Sequence, residues 1–481
     1  MAPKFTEEQQ IAIDVRDRTL LVSAAAGSGK TATLTGRIIA SLTDPDRPTS
    51  LSRLVVATFT NDSAADMRRK ISAALEAALA ADPGNERLAR EQLLMPSARI
   101  STIDSFCVRL LRRHAEAAGL SPSFRVADTA EAALLASEVM EGLLDELYAD
   151  AVPGIGQEEF CLLADALASA KSEEELVPLL LSLYEEVLHD VRGVTALRDA
   201  TAAFAAEEGK PFFSTVFGAE VADYYAAALS DIAEAMTEAV TSYLGGEEPS
   251  MKKRAPFCSD EAAALSALAD RLRAREGVTA STLPALGTIP SVRSAEVPRE
   301  YDVLGTLHGK AKDLLRELRE RYLTYTDAEL LALLPRLSAA ADLLYRILSR
   351  YDERLAAEKH RRGILGFLDI ERAAYALLVR DGEPTPLARE LASGIDAVYI
   401  DEFQDVNALQ YGIFRAIARE DNLFMVGDVK QCIYAFRHAD PAIFSSLRAA
   451  FPPVGGKGPA ASHFFSKNFR CDRPIVSYVN R

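Results

Sequence analysis

Short apolar runs, each closed by a turn and followed by helical spacing, mark both ends of this chain. Leu20, Leu21 and Val22 run into a glycine-rich turn, and a helical pattern follows from Thr31 to about Leu42. LVVATFT, from Leu54 to Thr60, is a second run, with a helix from about Asp62. RISTIDSFCVRLLRRH, from Arg99 to His114, repeats the arrangement and places Thr102, Asp104 and Ser105 at the turn into a helix carrying Arg109, Arg112 and Arg113. Near the other end, AVYI (397–400) and LFMVG (423–427) do the same, with a helix from about Ala408 between them. Apolar runs without polar alternation read as strands buried on both faces. Strands alternating with helices predict a parallel sheet.

From about Thr129 to Arg362 the pattern changes to Ala-, Leu- and Glu-rich helical periodicity, as in EAALLASEVMEGLLDELY and YDVLGTLHGKAKDLLRELRERYL. Gly277 to Arg299, with its prolines, serines and threonines, reads as a loop between helices. No internal repeat stands out. The expected architecture is therefore α/β, a parallel sheet flanked by helices and interrupted by a large all-helical insertion.

Composition narrows this reading. With 481 residues, 49% hydrophobic and 26% charged, the chain has the composition of an ordinary globular protein of two or more domains. No apolar run is long enough to span a bilayer, and Met1 to Ile13 has no signal-peptide core. Five scattered cysteines, none in CxxC spacing, suggest reduced thiols and a cytoplasmic location, and argue against a zinc site or a cysteine-held cluster. The net charge of −16 argues against nucleic acid at first sight. However, it is confined to the middle: residues 1–128 carry +2, 129–390 carry −19 and 391–481 carry +1. The ends do not repel a phosphate backbone, and any case for nucleic acid rests on specific residues.

Those residues begin with LLVSAAAGSGKT, from Leu20 to Thr31. Strand, glycine loop, Lys-Thr and helix describe a phosphate-binding P-loop, although Ala24 stands where the usual pattern has Gly. Lys30 supplies charge to the β- and γ-phosphates, and the Thr31 hydroxyl can hold Mg²⁺. After AVYI come Asp401 and Glu402, a pair suited to hold Mg²⁺ and to activate the attacking water. Gln431, after the neighbouring LFMVG strand, can place an amide near the γ-phosphate. Gln9 either completes a capping box with Thr6 or reads an adenine edge. Thr58, Phe59, Thr60 and Asn61 lie at a strand's carboxyl end, where ligands of open α/β sheets bind, and IYAFRHA (433–439) interleaves aromatics with a cation as base-stacking surfaces do.

Taken in order, AAAGSGKT, ATFTNDSAADM, STIDSFC, YIDEFQD, VGDVKQCIYAFR and KNFRCD resemble the motifs of the UvrD/Rep group of superfamily 1 DNA helicases, a group that commonly has Ala at the position of Ala24. The runs STIDSFCVRLLRRHAEAAGLSPSFRVAD and GFLDIERAAYALL look most like the AddA type of helicase–nuclease chain, with RecB-like chains next. The resemblance implies a RecA-like P-loop NTPase fold using ATP and Mg²⁺. It implies that Ala26, Gly27, Ser28, Gly29, Lys30 and Thr31 cradle the nucleotide phosphates and that Gln9 reads adenine. It implies that Phe469 stacks on adenine and that Arg470 meets the γ-phosphate. Asp401 and Thr31 would hold the metal, Glu402 would activate water, and Gln431 would sense the γ-phosphate. Thr58, Phe59, Asn61, Thr102, Ser105, Phe436 and Arg437 would contact single-stranded DNA, with Phe436 stacking on bases. Asp104 stands where many relatives have His, and it is assigned no strand contact.

The same resemblance divides the chain into a first RecA-like part at 1–128, the insertion at 129–360, a second RecA-like part at 361–465 and the opening of a second motor domain at 466–481. It describes part of a longer ATP-driven translocase and helicase of recombinational break repair, moving on single-stranded DNA and at single-strand/duplex junctions, with an AddB-like partner subunit. Little turnover is expected from this part alone. Two other classes stay open: a P-loop ATPase switch with no DNA role, and a partner-docking module.

Overall fold

The computed structural model describes residues 5–167, 175–204, 210–244, 251–291, 302–433 and 438–469. The chain divides into two compact units. One comprises 1–146, 171–193 and 350–481, and the other 147–170 and 194–349.

The first unit is built on a six-stranded parallel sheet. Its strands are β1 (Thr19–Ala24), β2 (Leu54–Thr58), β3 (Arg99–Thr102), β4 (Ala397–Ile400), β5 (Leu423–Gly427) and β6 (Ala460–Phe465). Their order across the sheet is β6-β1-β5-β4-β2-β3. Every pairing is parallel, so all six carboxyl ends lie along one edge. Strands β1, β2 and β5 are buried at every position, which explains their continuous apolar sequence. One apolar layer gathers Leu21, Val55, Val398, Ile400 and Met425 against the helices Ile103–Arg113 and Ala408–Ile417. The opposite layer gathers Leu20, Val22, Val56, Tyr399 and Phe424 against the helices Lys30–Thr43 and Asn61–Ala81.

Two differences from the sequence pattern stand out. Strand β2 stops at Thr58, because Thr60 turns outward as the N-cap of the next helix and its hydroxyl accepts from the Ser63 amide at 3.1 Å. Strand β6 has no counterpart in the apolar runs. It pairs along the whole of β1, from Thr19 opposite Ala460 to Ala24 opposite Phe465. Its outer side is fastened to the first helix, where Glu8 accepts from the Ser466 amide at 2.9 Å and from its hydroxyl at 2.6 Å.

The second unit is helical. In the helix Val216–Leu244, the buried residues Ala222, Ala226, Leu229, Ala233, Met236 and Val240 alternate steps of four and three. Cys258, Ala262, Leu265, Ala269 and Leu272 do the same in Met251–Ala274, so the two helices pack along matching seams. Glu261 and His308 meet inside this unit at 2.7 Å, both buried. Truncating one partner strands the other in a dry interior. Glu261→Ala is therefore expected to lower the unit's stability by about 2–4 kcal/mol, whereas the double change Glu261→Leu with His308→Leu costs much less. Urea unfolding of the three proteins makes the comparison, and equal losses in both variants would refute it.

Candidate active site

The strand edge concentrates the motif residues because each motif follows a strand of the same parallel sheet. After β1, the loop 25–29 leads into the helix Lys30–Thr43. Its last residue, Gly29, has φ +87°, and a Cβ there would lie 2.6 Å from Gln9 Nε2. Glycine is required on both counts. The Gln9 amide also donates to the Ser28 carbonyl at 2.9 Å, while its oxygen accepts from the Thr6 amide at 2.9 Å. Gln9 therefore completes the capping box and ties the first helix to the P-loop.

Lys30 is only 9% exposed, and its ammonium lies 2.8 Å from Glu402 Oε2 and 3.5 Å from Gln431 Oε1. Gln404, buried beside them, donates to the same Glu402 oxygen at 3.0 Å and accepts from the Asp428 amide at 2.8 Å. Asp428 in turn accepts from Gln431 Nε2 at 2.6 Å. The five residues, Asp428 through both its backbone amide and its carboxylate, close a ring of hydrogen bonds across the tips of β1, β4 and β5. Gly427 permits this ring, because any Cβ there would collide with the Gln404 side-chain oxygen. Glu402 holds a left-handed backbone, φ 50° and ψ 47°, a strained conformation that aims its carboxylate at Lys30.

Asp401 sits under the ring. Its carboxylate accepts from the Glu402 amide at 3.1 Å, and burial, with the Glu402 charge second, pushes its pKa up from 3.8 to about 6. The neutral form is the one the fold favours. Asp401 therefore adds stability that is complete below pH 3.8 and lost as pH rises through about 6. Asp401→Asn is thus expected to raise the melting midpoint at neutral pH by a few degrees, with a ceiling of about 3 kcal/mol. Scanning fluorimetry without nucleotide tests this, and an unchanged or lower midpoint would contradict it. Asp405 is raised in the same way to about 6, by burial and then by Glu402.

Several features suit an anion beside a cation. The Ser28 hydroxyl in the P-loop is buried without a hydrogen-bond partner. The first turn of the helix leaves amide donors facing the loop, and Asp401 and Glu402 crowd two acids beside one lysine. These features fit a nucleotide's phosphates with a divalent cation. Thr31 opens the helix after the loop and Asp401 directly follows β4, so both are candidates to hold the cation.

Phe469, after β6, is 60% exposed, and its backbone amide donates to the Gly27 carbonyl at 2.8 Å, which ties this segment to the loop. The strand-contact candidates lie further along the edge. The Thr58 hydroxyl donates to the Thr60 carbonyl at 3.1 Å, and Asn61 opens an exposed helical turn. Thr102 caps its helix through Ser105, accepting from the Ser105 amide at 3.2 Å and donating to its hydroxyl at 2.8 Å. Phe59 and Asp104 line one cavity. Phe436, Arg437 and Arg470 lie outside the described residues. Sequence reasoning passed over Gln404, Asp405 and Asp428. The available signal for the first two was that an amide and an acid follow Asp401-Glu402 with only Phe403 between, just past a strand tip.

The UvrD/REP helicase N-terminal domain family matches residues 5–452. An ATP-dependent helicase/nuclease subunit of Moorella thermoacetica is 35% identical over 99% of this chain and 34% of its own length. Proteins of the same name from Bacillus licheniformis and Desulforudis audaxviator are each 33% identical over 99% of this chain and 39% of theirs. The chain thus spans between a third and two fifths of the relatives it matches.

Proposed function

Since the chain belongs to the UvrD/REP helicase N-terminal domain family, we propose that it binds and hydrolyses ATP as the first motor part of an ATP-dependent DNA helicase acting on single-stranded DNA. The observation that carries this reading is the closed ring of Lys30, Glu402, Gln404, Asp428 and Gln431. It joins a phosphate-binding lysine, an acid able to take a proton from water and a glutamine able to touch the γ-phosphate.

In this reading the Lys30 ammonium leaves Glu402 for the phosphate oxygens when ATP enters. That exchange frees the Glu402 carboxylate to take the proton of the attacking water. Gln404 keeps Glu402 in place through its amide, and Gln431, released from Lys30, turns toward the γ-phosphate. Mg²⁺, held by Thr31 and Asp401, supplies positive charge against the phosphate oxygens. Because Gln431 is followed closely by the aromatic segment that includes Phe436, its movement couples nucleotide state to strand grip. Thr58, Phe59, Asn61, Thr102, Ser105 and Arg437 supply the other contacts. Gln9 and Phe469 frame the base of ATP, and Arg470 meets its γ-phosphate.

The named relatives are subunits of a helicase/nuclease. By extension, this chain works beside an AddB-like partner in the cytoplasm on broken DNA. Among the described residues, no helix is long and apolar enough to cross a membrane. The domain division at 128, 360 and 465 is part of the same proposal. The test is ATP hydrolysis measured with and without single-stranded DNA in a polypeptide of the relatives' full length. Strand-stimulated turnover supports the proposal. Turnover indifferent to DNA, with no strand binding, would replace it with a nucleotide-driven switch.

A further inference from the structure

Strand β3 is the free edge of the sheet opposite β6, with β2 on one side only. Exposed strand edges are blunted by charge, often a single cation. This edge carries several. Arg68, from the helix Asn61–Ala81, donates to the Ile100 carbonyl, and Arg109, from the helix Ile103–Arg113, donates to the Ser101 hydroxyl at 2.7 Å. Arg99 opens the strand itself, and Arg113 ends the helix that follows it. Burial, then the charges of Arg113 and Arg53, lower the pKa of Arg99, and burial, then Arg68 and Arg99, lower that of Arg109. Guanidiniums keep their protons in proteins, so these directions report burial and mutual repulsion. Arg53 has a carboxylate, Asp396 at 2.8 Å. Among the described residues, Arg68, Arg99, Arg109 and Arg113 form no ion pair.

Four cations gathered without an acid repel one another, and a ligand bearing several anionic groups removes that cost. The guanidinium fork fits the paired oxygens of a phosphate. Arg68, Arg109 and Arg113 are exposed and Arg99 is half-buried, so the flank is open to such a ligand. Its layout is linear. Ser105, Arg109 and Arg113 recur at intervals of four, on one face of their helix. Arg113 acts on Arg99 at the start of β3, so the helix runs back along the strand. The ladder therefore begins at the tip where Thr102 and Ser105 are assigned to strand contact, and descends from it for about 12 Å, room for roughly two to four nucleotides. That continuity favours a phosphate backbone over an acidic polypeptide as the occupant.

On the strand-binding reading above, we propose that the β3 flank is a second tract for nucleic acid, along which a single strand leaving the Thr102–Ser105 tip is held by its phosphates on Arg68, Arg99, Arg109 and Arg113. The tract reads no base. It retains the strand while the contacts at the tip let go, and it does so for any sequence.

The test is single-strand binding by fluorescence anisotropy over a salt series, in a polypeptide of the relatives' full length. The parent is compared with the double variant Arg109→Gln, Arg113→Gln. Each phosphate contact adds about 0.7 to the slope of log affinity against log salt, so the variant is expected to lose about 1.4 from it. At about 0.1 M salt it should bind roughly ten- to thirtyfold more weakly, equally for oligo(dT) and oligo(dA). The charge-keeping double variant Arg109→Lys, Arg113→Lys is expected to retain the slope. Arg113→Gln alone, at the exposed helix end, should lose about half as much, which decides the matter if the double variant melts early. A parent-like slope in the glutamine variants overturns the tract and leaves the flank to an acidic polypeptide. A loss confined to one base overturns it too. No binding by the parent overturns strand binding itself, and the tract with it.

Discussion

Lys30→Ala is expected to weaken ATP binding by about ten- to a hundredfold, the range of one charge-assisted bond to phosphate. Lys30 is the cation of the ring, and its ammonium lies within 2.8 Å of the acid it must leave. The substitution also leaves the Asp401 and Glu402 carboxylates together without their ammonium, which compounds the loss for any bound nucleotide. Titration with a fluorescent ATP analogue measures it. An affinity unchanged within about threefold would mean that Lys30 serves the fold and not the nucleotide.

Glu402→Gln is expected to separate binding from chemistry. The amide oxygen keeps an acceptor for Lys30 and for Gln404, so the ring survives. What disappears is the capacity to take a proton from water, and turnover should fall by about 10²–10⁴-fold with ATP affinity nearly intact. The measurement is steady-state hydrolysis with single-stranded DNA, made in a polypeptide of the relatives' full length. Hydrolysis equal to the parent would place the general base elsewhere and remove the main chemical assignment made for the strand edge.

Much of this site was legible in the sequence, for a physical reason. Strands β4 and β5 fall at 397–400 and 423–427, where their apolar runs placed them, because central parallel strands are buried on both faces and write themselves as unbroken apolar text. The P-loop was legible because its function needs fixed spacing and a glycine where the backbone turns left-handed. Strand β6 was not, since it lies at the edge of the sheet, where exposed Phe464 and partly buried Ser462 and His463 interrupt the apolar pattern. Nor was the role of Gln404. It depends on Asp428 arriving from a neighbouring strand, which no local pattern encodes.

The partnership of β1 with β6 bears on how this protein is made. Strand β1 is apolar throughout and takes β5 on one side and β6 on the other, so both its neighbours come from the far end of the chain. A ribosome adding about 5–20 residues per second needs roughly 20–90 s to make the 440 or so residues between Thr19 and Ala460. Until β5 emerges shortly before β6, the P-loop strand has neither neighbour and is a sticky, unpaired segment. The helical unit, rich in contacts close in sequence, can fold while it waits. The late arrival of both partners therefore leaves β1 open to wrong pairing while the chain is being made.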